Sequence, residues 1–247
     1  MKKLLILSVF MGLIQSLTAQ TLKAVKYADD AQELNGLVTS NTGKNLPGVL
    51  ILPAWMGIDD EAKTAALQLE KEGYIAFVAD IYGKGNTPTD FGSAAKIATQ
   101  FKTDYQLYQK RISLALDQMK AAGAQSGKIA VIGYCFGGSG ALETARAGFD
   151  VAGVVSIHGG LGKATERPNG QIQPKILVEN PAEDKSVTKE VYDQLVQEMK
   201  DGKADWQIIT YANCGHTFTN PTSKEYNEVM AKRAWNHTLL FLGELLK

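Results

Sequence analysis

With 247 residues, 45% hydrophobic content and 24 glycines, the chain is long enough to bury one substantial core and too varied for a collagen-like or disordered polymer. Its 26 basic and 26 acidic side chains balance, which removes the electrostatic reason to expect nucleic-acid binding. Cys135 and Cys214 are its two cysteines, too few for a disulfide scaffold.

In chain order, Met1-Lys2-Lys3, an apolar stretch from Leu4 to Ile14 and then Gln-Ser-Leu-Thr-Ala-Gln predict a secretory signal peptide over residues 1–19, cut after Ala19. The apolar stretch is too short to span a bilayer, so no stable membrane insertion is expected, and the mature chain is assigned to the periplasm or the exterior. Removing Lys2 and Lys3 leaves 24 bases against 26 acids. Residues 20–247 read as one domain. Thr21 to Tyr27 and Glu33 to Ser40 are predicted edge strands, followed by a strand at Gly48 to Leu52 and a helix at Asp59 to Glu72. A strand at Tyr74 to Asp80 and a helix from about Thr103 to Ala122 come next. Further strands are expected at Ile129 to Gly133, Val151 to Ile157, Lys175 to Glu179 and Trp206 to Tyr211. Helices at about Gly138 to Ala147, Val187 to Lys200 and Ser223 to Leu245 fill the gaps. This alternation predicts an α/β fold, a doubly wound, mostly parallel sheet with helices on both faces and its functional groups on loops at the strands' carboxyl ends.

The apolar run Lys128-Ile-Ala-Val-Ile-Gly133 leads directly into Tyr134-Cys135-Phe136-Gly137-Gly138 and a helix. Such a Gly-x-Cys-x-Gly turn is a nucleophile elbow: the glycines allow close backbone approach, and Cys135 is presented at a helix N-terminus that favours its thiolate. A thiol nucleophile needs a base, and the base needs an acid to orient it. His216 follows the strand ending at Tyr211, and Asp184 follows the strand ending at Glu179, giving the order Cys, acid, His. Glu183 and Glu179 stand near enough to Asp184 to be rival orienting acids. For the oxyanion, the residue after the nucleophile, Phe136, offers one backbone N–H, and Trp55 in Pro53-Ala-Trp-Met-Gly57 offers another. Tyr82, Tyr134 and Phe218 are candidate pocket walls. His158 is expected at the functional edge as a pocket or loop-anchoring residue, and His237 as a helix residue.

Together, Pro53-Ala-Trp-Met-Gly-Ile-Asp59, Ala79-Asp-Ile-Tyr-Gly-Lys-Gly85, Gly133-Tyr-Cys-Phe-Gly-Gly138, Val155-Ser-Ile-His-Gly-Gly-Leu161, Ala182-Glu-Asp184 and His216-Thr-Phe-Thr-Asn-Pro221 give the chain a resemblance to the dienelactone hydrolase family, α/β hydrolases with a cysteine nucleophile. The resemblance implies that Cys135 attacks a small ester or lactone, that His216 carries protons and that Asp184 orients it. No metal and no organic cofactor is implied, and a monomer is expected. Where the family's loop carries a glutamate that helps to activate the thiol, this chain has Ala54. The family's substrate-clamping arginines are not evident, which leaves Lys84 as the candidate cation. A non-catalytic or redox-regulated small-molecule binder, with Cys135 and Cys214 able to pair, is the alternative.

Overall fold

The computed structural model describes residues 21–247, so the segment read as a signal peptide lies outside the described residues. Two strands, β1 (Lys23–Asp29) and β2 (Gln32–Val38), form an antiparallel hairpin at one edge. The chain then alternates through β3 (Leu46–Leu52), α1 (Asp60–Lys71), β4 (Ile75–Val78), α2 (Phe91–Thr103), α3 (Tyr105–Ala121), β5 (Ala124–Tyr134), α4 (Phe136–Arg146), β6 (Gly153–Ile157), β7 (Lys175–Pro181), α5 (Lys189–Asp201), β8 (Trp206–Tyr211) and α6 (Glu228–Leu246). The single eight-stranded sheet runs β1-β2-β4-β3-β5-β6-β7-β8, with every pair from β4 to β8 parallel. The expected doubly wound, mostly parallel α/β sheet is the one observed.

Alternation along the strands sorts the apolar side chains into two cores. Leu50, Leu52, Val131, Val154, Ile176 and Val178 face α2, α3, α4 and α5. Their neighbours Val49, Ile51, Ile132, Val155 and Leu177 face α1 and α6. The shift from antiparallel hairpin to parallel crossovers leaves the carboxyl ends of β3, β5, β6, β7 and β8 along one edge, where loops can converge.

Helix boundaries follow local capping chemistry. Asp59 accepts from Ala62 N–H at 2.9 Å and starts α1, a cap worth about 1 kcal/mol. The helix expected from about Thr103 begins at Tyr105 because Asp104 accepts from Leu107 N–H at 3.0 Å. In front of it lies α2, which was not among the expected elements. It starts with a reciprocal capping box between Asp90 and Ser93 and buries Ala94, Ala98 and Phe101 along one face. The terminal helix starts at Glu228, later than the expected Ser223, because Asn227 caps it by accepting from Met230 N–H at 3.2 Å. Among the described residues, no helix is long and apolar enough to cross a membrane.

Candidate active site

The elbow is set by backbone packing. Cys135 sits between β5 and α4 with φ 52° and ψ −110°, a left-handed conformation that costs a side-chain-bearing residue on the order of 1–3 kcal/mol. Its neighbours have no room for side chains. A Cβ on Gly133 would lie 2.0 Å from the Gly137 carbonyl oxygen, and one on Gly137 would lie 2.0 Å from the Leu52 carbonyl oxygen and 2.8 Å from that of Pro53. The start of α4 therefore rests directly on the end of β3. Phe136 N–H, at the first helical position, has no intrahelical acceptor, and Gly137 after it packs on Leu52 and Pro53, where the loop that carries Trp55 begins. That loop is closed by a turn in which Gly57 N–H donates to Ala54 C=O at 3.0 Å.

Two further loops meet the elbow. His216 Nε2 lies 3.0 Å from Cys135 Sγ, and His216 Nδ1 lies 2.6 Å from Asp184 Oδ2. The other oxygen of Asp184 accepts from the backbone N–H and the hydroxyl of Ser186, at 2.8 and 2.7 Å. The acid and histidine loops are laced together: Ala182 N–H donates to Tyr211 C=O at 2.9 Å, and Glu183 N–H donates to Cys214 C=O at 3.0 Å. Glu225 braces the histidine loop from outside by accepting from Thr217 N–H and Thr217 Oγ1 at 3.0 and 2.9 Å. Of the three rival acids only Asp184 reaches the imidazole. Glu183 is exposed, and Glu179 is buried in β7 against α6, where it accepts from Thr238 Oγ1 at 3.0 Å.

These contacts set the charges. Burial works against a proton on His216, but hydrogen bonds to Asp184 and Cys135 outweigh it and push its pKa up to about 10. Burial also disfavours charge on Asp184, yet hydrogen bonds from His216 and Ser186 hold its carboxyl below the usual range.

His158, expected near the site without a defined partner, supports the elbow. Cys135 N–H donates to His158 Nδ1 and to Ile157 C=O, both at 3.1 Å. With Nδ1 accepting, the ring proton lies on Nε2, which donates to Thr219 Oγ1 at 2.8 Å; Thr219 in turn donates to Glu61 Oε1 at 2.6 Å. Thr219 and Glu61 were not singled out from the sequence, because their link to Cys135 runs through residues 158 positions apart in the chain. Burial, reinforced by His216, pushes His158 down to about 3. In the unfolded chain this imidazole takes its proton below about 6.5. Its contribution to stability is thus present above that pH and is lost as pH falls towards 3. Thermal midpoints measured between pH 6.5 and 3 should fall, and His158→Gln should show a shallower fall; equal slopes would contradict a neutral buried His158.

The other candidates are sorted by packing. Tyr82 is buried and its hydroxyl donates to Trp55 C=O at 2.9 Å, so it braces the Trp55 loop from below and does not form an open wall. Phe136 likewise turns its ring into the core, stacked 4.5 Å from Tyr108. Phe218 is fully buried beneath the histidine loop, 5.2 Å from Tyr211, and is not a pocket wall. Tyr134, one residue before Cys135 in a strand, faces the opposite side of the sheet among the α1 and α6 residues. Lys84 is on the surface, paired with Glu33 at 3.2 Å, and is not presented to Cys135. The ring of Trp55 stacks on exposed Phe91 at 5.7 Å, forming an aromatic rim supplied by α2. Cys135 and Cys214 are free thiols; Cys214 is buried with Tyr211, Phe218 and Ala234. His237, as expected, lies in α6, with Nδ1 2.8 Å from the Tyr211 hydroxyl. Among the described residues, no group of three or more His, Cys, Asp or Glu side chains is placed to hold a metal ion.

A thiol, an imidazole and a carboxylate in line, at the carboxyl edge of a doubly wound sheet, form the geometry of acyl transfer. Residues 34–246 match the family model described as the dienelactone hydrolase family. The chain belongs to the dienelactone hydrolase family. It is a dienelactone hydrolase-like hydrolase, and relatives bear out the resemblance. A Bradyrhizobium protein described as a probable 2-oxo-3-(5-oxofuran-2-ylidene)propanoate lactonase is 26% identical over 212 residues, covering 81% of this chain and 84% of the relative. The crystal structure of a dienelactone hydrolase-like promiscuous phosphotriesterase from metagenomic libraries superposes with a TM-score of 0.87 at 31% identity, covering 93% of this chain and all of the other. An α/β hydrolase from a Medee basin deep-sea metagenome library, at 19% identity and a TM-score of 0.63, covers 91% of this chain and 98% of its own, and shares the fold.

Proposed function

We propose that this dienelactone hydrolase family member hydrolyses small carboxylic esters or lactones through an acyl-enzyme on Cys135. The observation that carries the reading is the continuous hydrogen-bonded line from Cys135 Sγ to His216 Nε2 at 3.0 Å and from His216 Nδ1 to Asp184 at 2.6 Å. With the proton already on His216, Sγ attacks the carbonyl carbon, and the carbonyl oxygen becomes an oxyanion facing the N–H groups of Phe136 and Trp55. Collapse breaks the C–O bond, and His216 gives its proton to the departing alkoxide, which in a lactone remains attached to the acyl part. Water, deprotonated by His216, then attacks the thioester carbonyl and returns the thiol. Asp184 keeps its charge throughout and fixes the imidazole tautomer. With Ala54 in the loop, activation of the thiol rests on His216 and the α4 N-terminus. Export, read from residues 1–19, belongs to the same proposal and is tested by cell fractionation.

A panel of nitrophenyl esters and simple lactones, assayed with wild type, tests the reading. Turnover of esters or lactones supports it; ligand-induced stabilisation without turnover replaces it with the binder. A phosphotriester arm is warranted by the relative described as a promiscuous phosphotriesterase. The rate should also carry a basic limb. His216 holds its proton up to about pH 10, so the imidazolium that protonates the leaving alkoxide is lost only as pH rises through that value. The kcat/KM profile should therefore decline near pH 10; a decline near 6.5 would mean that His216 is not coupled to Cys135 and Asp184.

A further inference from the structure

Behind the elbow, on the other face of the sheet, α1, α6 and the histidine loop surround a cavity of about 740 Å³, large enough for a small organic molecule. Its lining includes Glu61, Tyr134, Glu179, Thr219, Tyr226 and Trp235. Glu179 has no exposed surface, and Thr238 satisfies only one of its oxygens; the second, Oε2, is buried with no hydrogen-bond partner among the described residues. A buried carboxyl oxygen without a partner is costly, and a ligand reaching it from the cavity would remove that cost.

The sign of the ligand follows from what surrounds it. Asp59 and Asp60 on the same wall are accounted for, the first capping α1 and the second pairing with Lys63 at 3.0 Å. Lys232, the basic side chain of the lining, pairs with Glu228 at 2.7 Å. That leaves Glu61 and Glu179 facing a space bounded by apolar Ala65, Ile157, Ala231 and Ala234 and by aromatic rings. Burial, more than any neighbouring charge, lifts the Glu61 carboxyl to about 7 and holds that of Glu179 well above the usual range, so an ammonium that binds there displaces the Glu179 proton to solvent. Acids beside aromatic faces are the chemistry of ammonium recognition.

We propose that this cavity binds a small organic cation, an ammonium group on an apolar body, with Glu179 and Glu61 taking the charge and Trp235 and Tyr134 flanking it. The site stands apart from acyl transfer, although Glu61 also accepts from Thr219, which carries His158 and, through it, the backbone of Cys135. It does not depend on the hydrolase reading.

Calorimetric titration of the Cys135→Ala protein with benzylammonium tests the site with the nucleophile removed. Saturable one-to-one binding is expected, with benzyl alcohol and benzoate at least about tenfold weaker. Glu179→Gln should weaken benzylammonium by about tenfold to a hundredfold, the scale of a lost charge-assisted hydrogen bond. Ala231→Trp, which fills the cavity from a half-buried position on α6, should abolish binding while circular dichroism stays native. No binding of benzylammonium, equal affinity for benzyl alcohol, or unchanged affinity in a folded Glu179→Gln protein would each overturn the proposal. Should Glu179→Gln fail to fold, binding retained by Ala231→Trp would do so alone.

Discussion

Replacing Cys135 with alanine should lower ester or lactone turnover by about 10⁴-fold to 10⁶-fold while leaving the fold intact. In the proposed reaction the sulfur bonds to the acyl group; it lies 3.0 Å from His216 Nε2, whereas Cys214, the other thiol, is buried in a separate cluster. His216→Ala should cost nearly as much, and the double variant hardly more than either single one, because the two groups act in the same proton transfer. Asp184→Asn should cost roughly 10³-fold to 10⁴-fold, since an amide no longer fixes the Nδ1–H tautomer or balances the imidazolium. Glu183→Gln, at an exposed neighbour, should leave kcat/KM unchanged. If Glu183→Gln lost more than Asp184→Asn, the orienting acid would be misassigned. If Cys135→Ala retained turnover, the acyl-enzyme would not form there. Single-turnover assays with a nitrophenyl ester read all five variants against wild type.

The elbow was legible in the sequence because its cause is local. An apolar strand, glycines two residues either side of Cys135, and a helix that opens immediately after it leave little else for the backbone to do. His216 and Asp184 were legible as loop positions after β8 and β7, since strand and helix alternation places such loops on one edge. The choice among Asp184, Glu183 and Glu179 was not fixed by spacing. It depends on strand parity, which turns Glu179 towards α6, and on Ser186, which holds Asp184 against the imidazole.

Other features escaped because their causes are not local. Lys84 is drawn to Glu33 on the edge hairpin, 51 residues away, so a cation expected in the site sits outside it. Phe218 and Tyr134 are aromatic in either reading, and only packing shows one under the histidine loop and the other on the far face. The Asp90–Ser93 box and the Phe91, Ala94, Ala98 and Phe101 spacing could have announced α2, but Gly92 and Thr99 dilute its apolar pattern. Missing α2 also concealed the Trp55–Phe91 rim.

Gly137→Ala should, with Gly133→Ala, be one of the two most damaging added methyls among the described residues. The added Cβ would fall 2.0 Å from the Leu52 carbonyl oxygen and 2.5 Å from its carbon, both backbone atoms in the middle of the sheet, so no side chain can swing aside. Relief requires α4 to lift off β3, and that motion separates Phe136 N–H from the Trp55 loop and moves Cys135 away from His216. Overpacking of this kind costs about 3 kcal/mol or more, equivalent to a loss of roughly 6–12 °C in Tm for a chain of this size. Activity should fall together with stability, because the same contact sets both. Gly243→Ala is the matching control: it lies inside α6 with nothing within 4 Å of the added Cβ, so helix propensity should raise stability by about 0.5–1 kcal/mol. Differential scanning calorimetry on the two variants separates the effects. A Gly137→Ala protein that melts and turns over like wild type would mean that the approach of α4 to β3 does not hold the elbow in place.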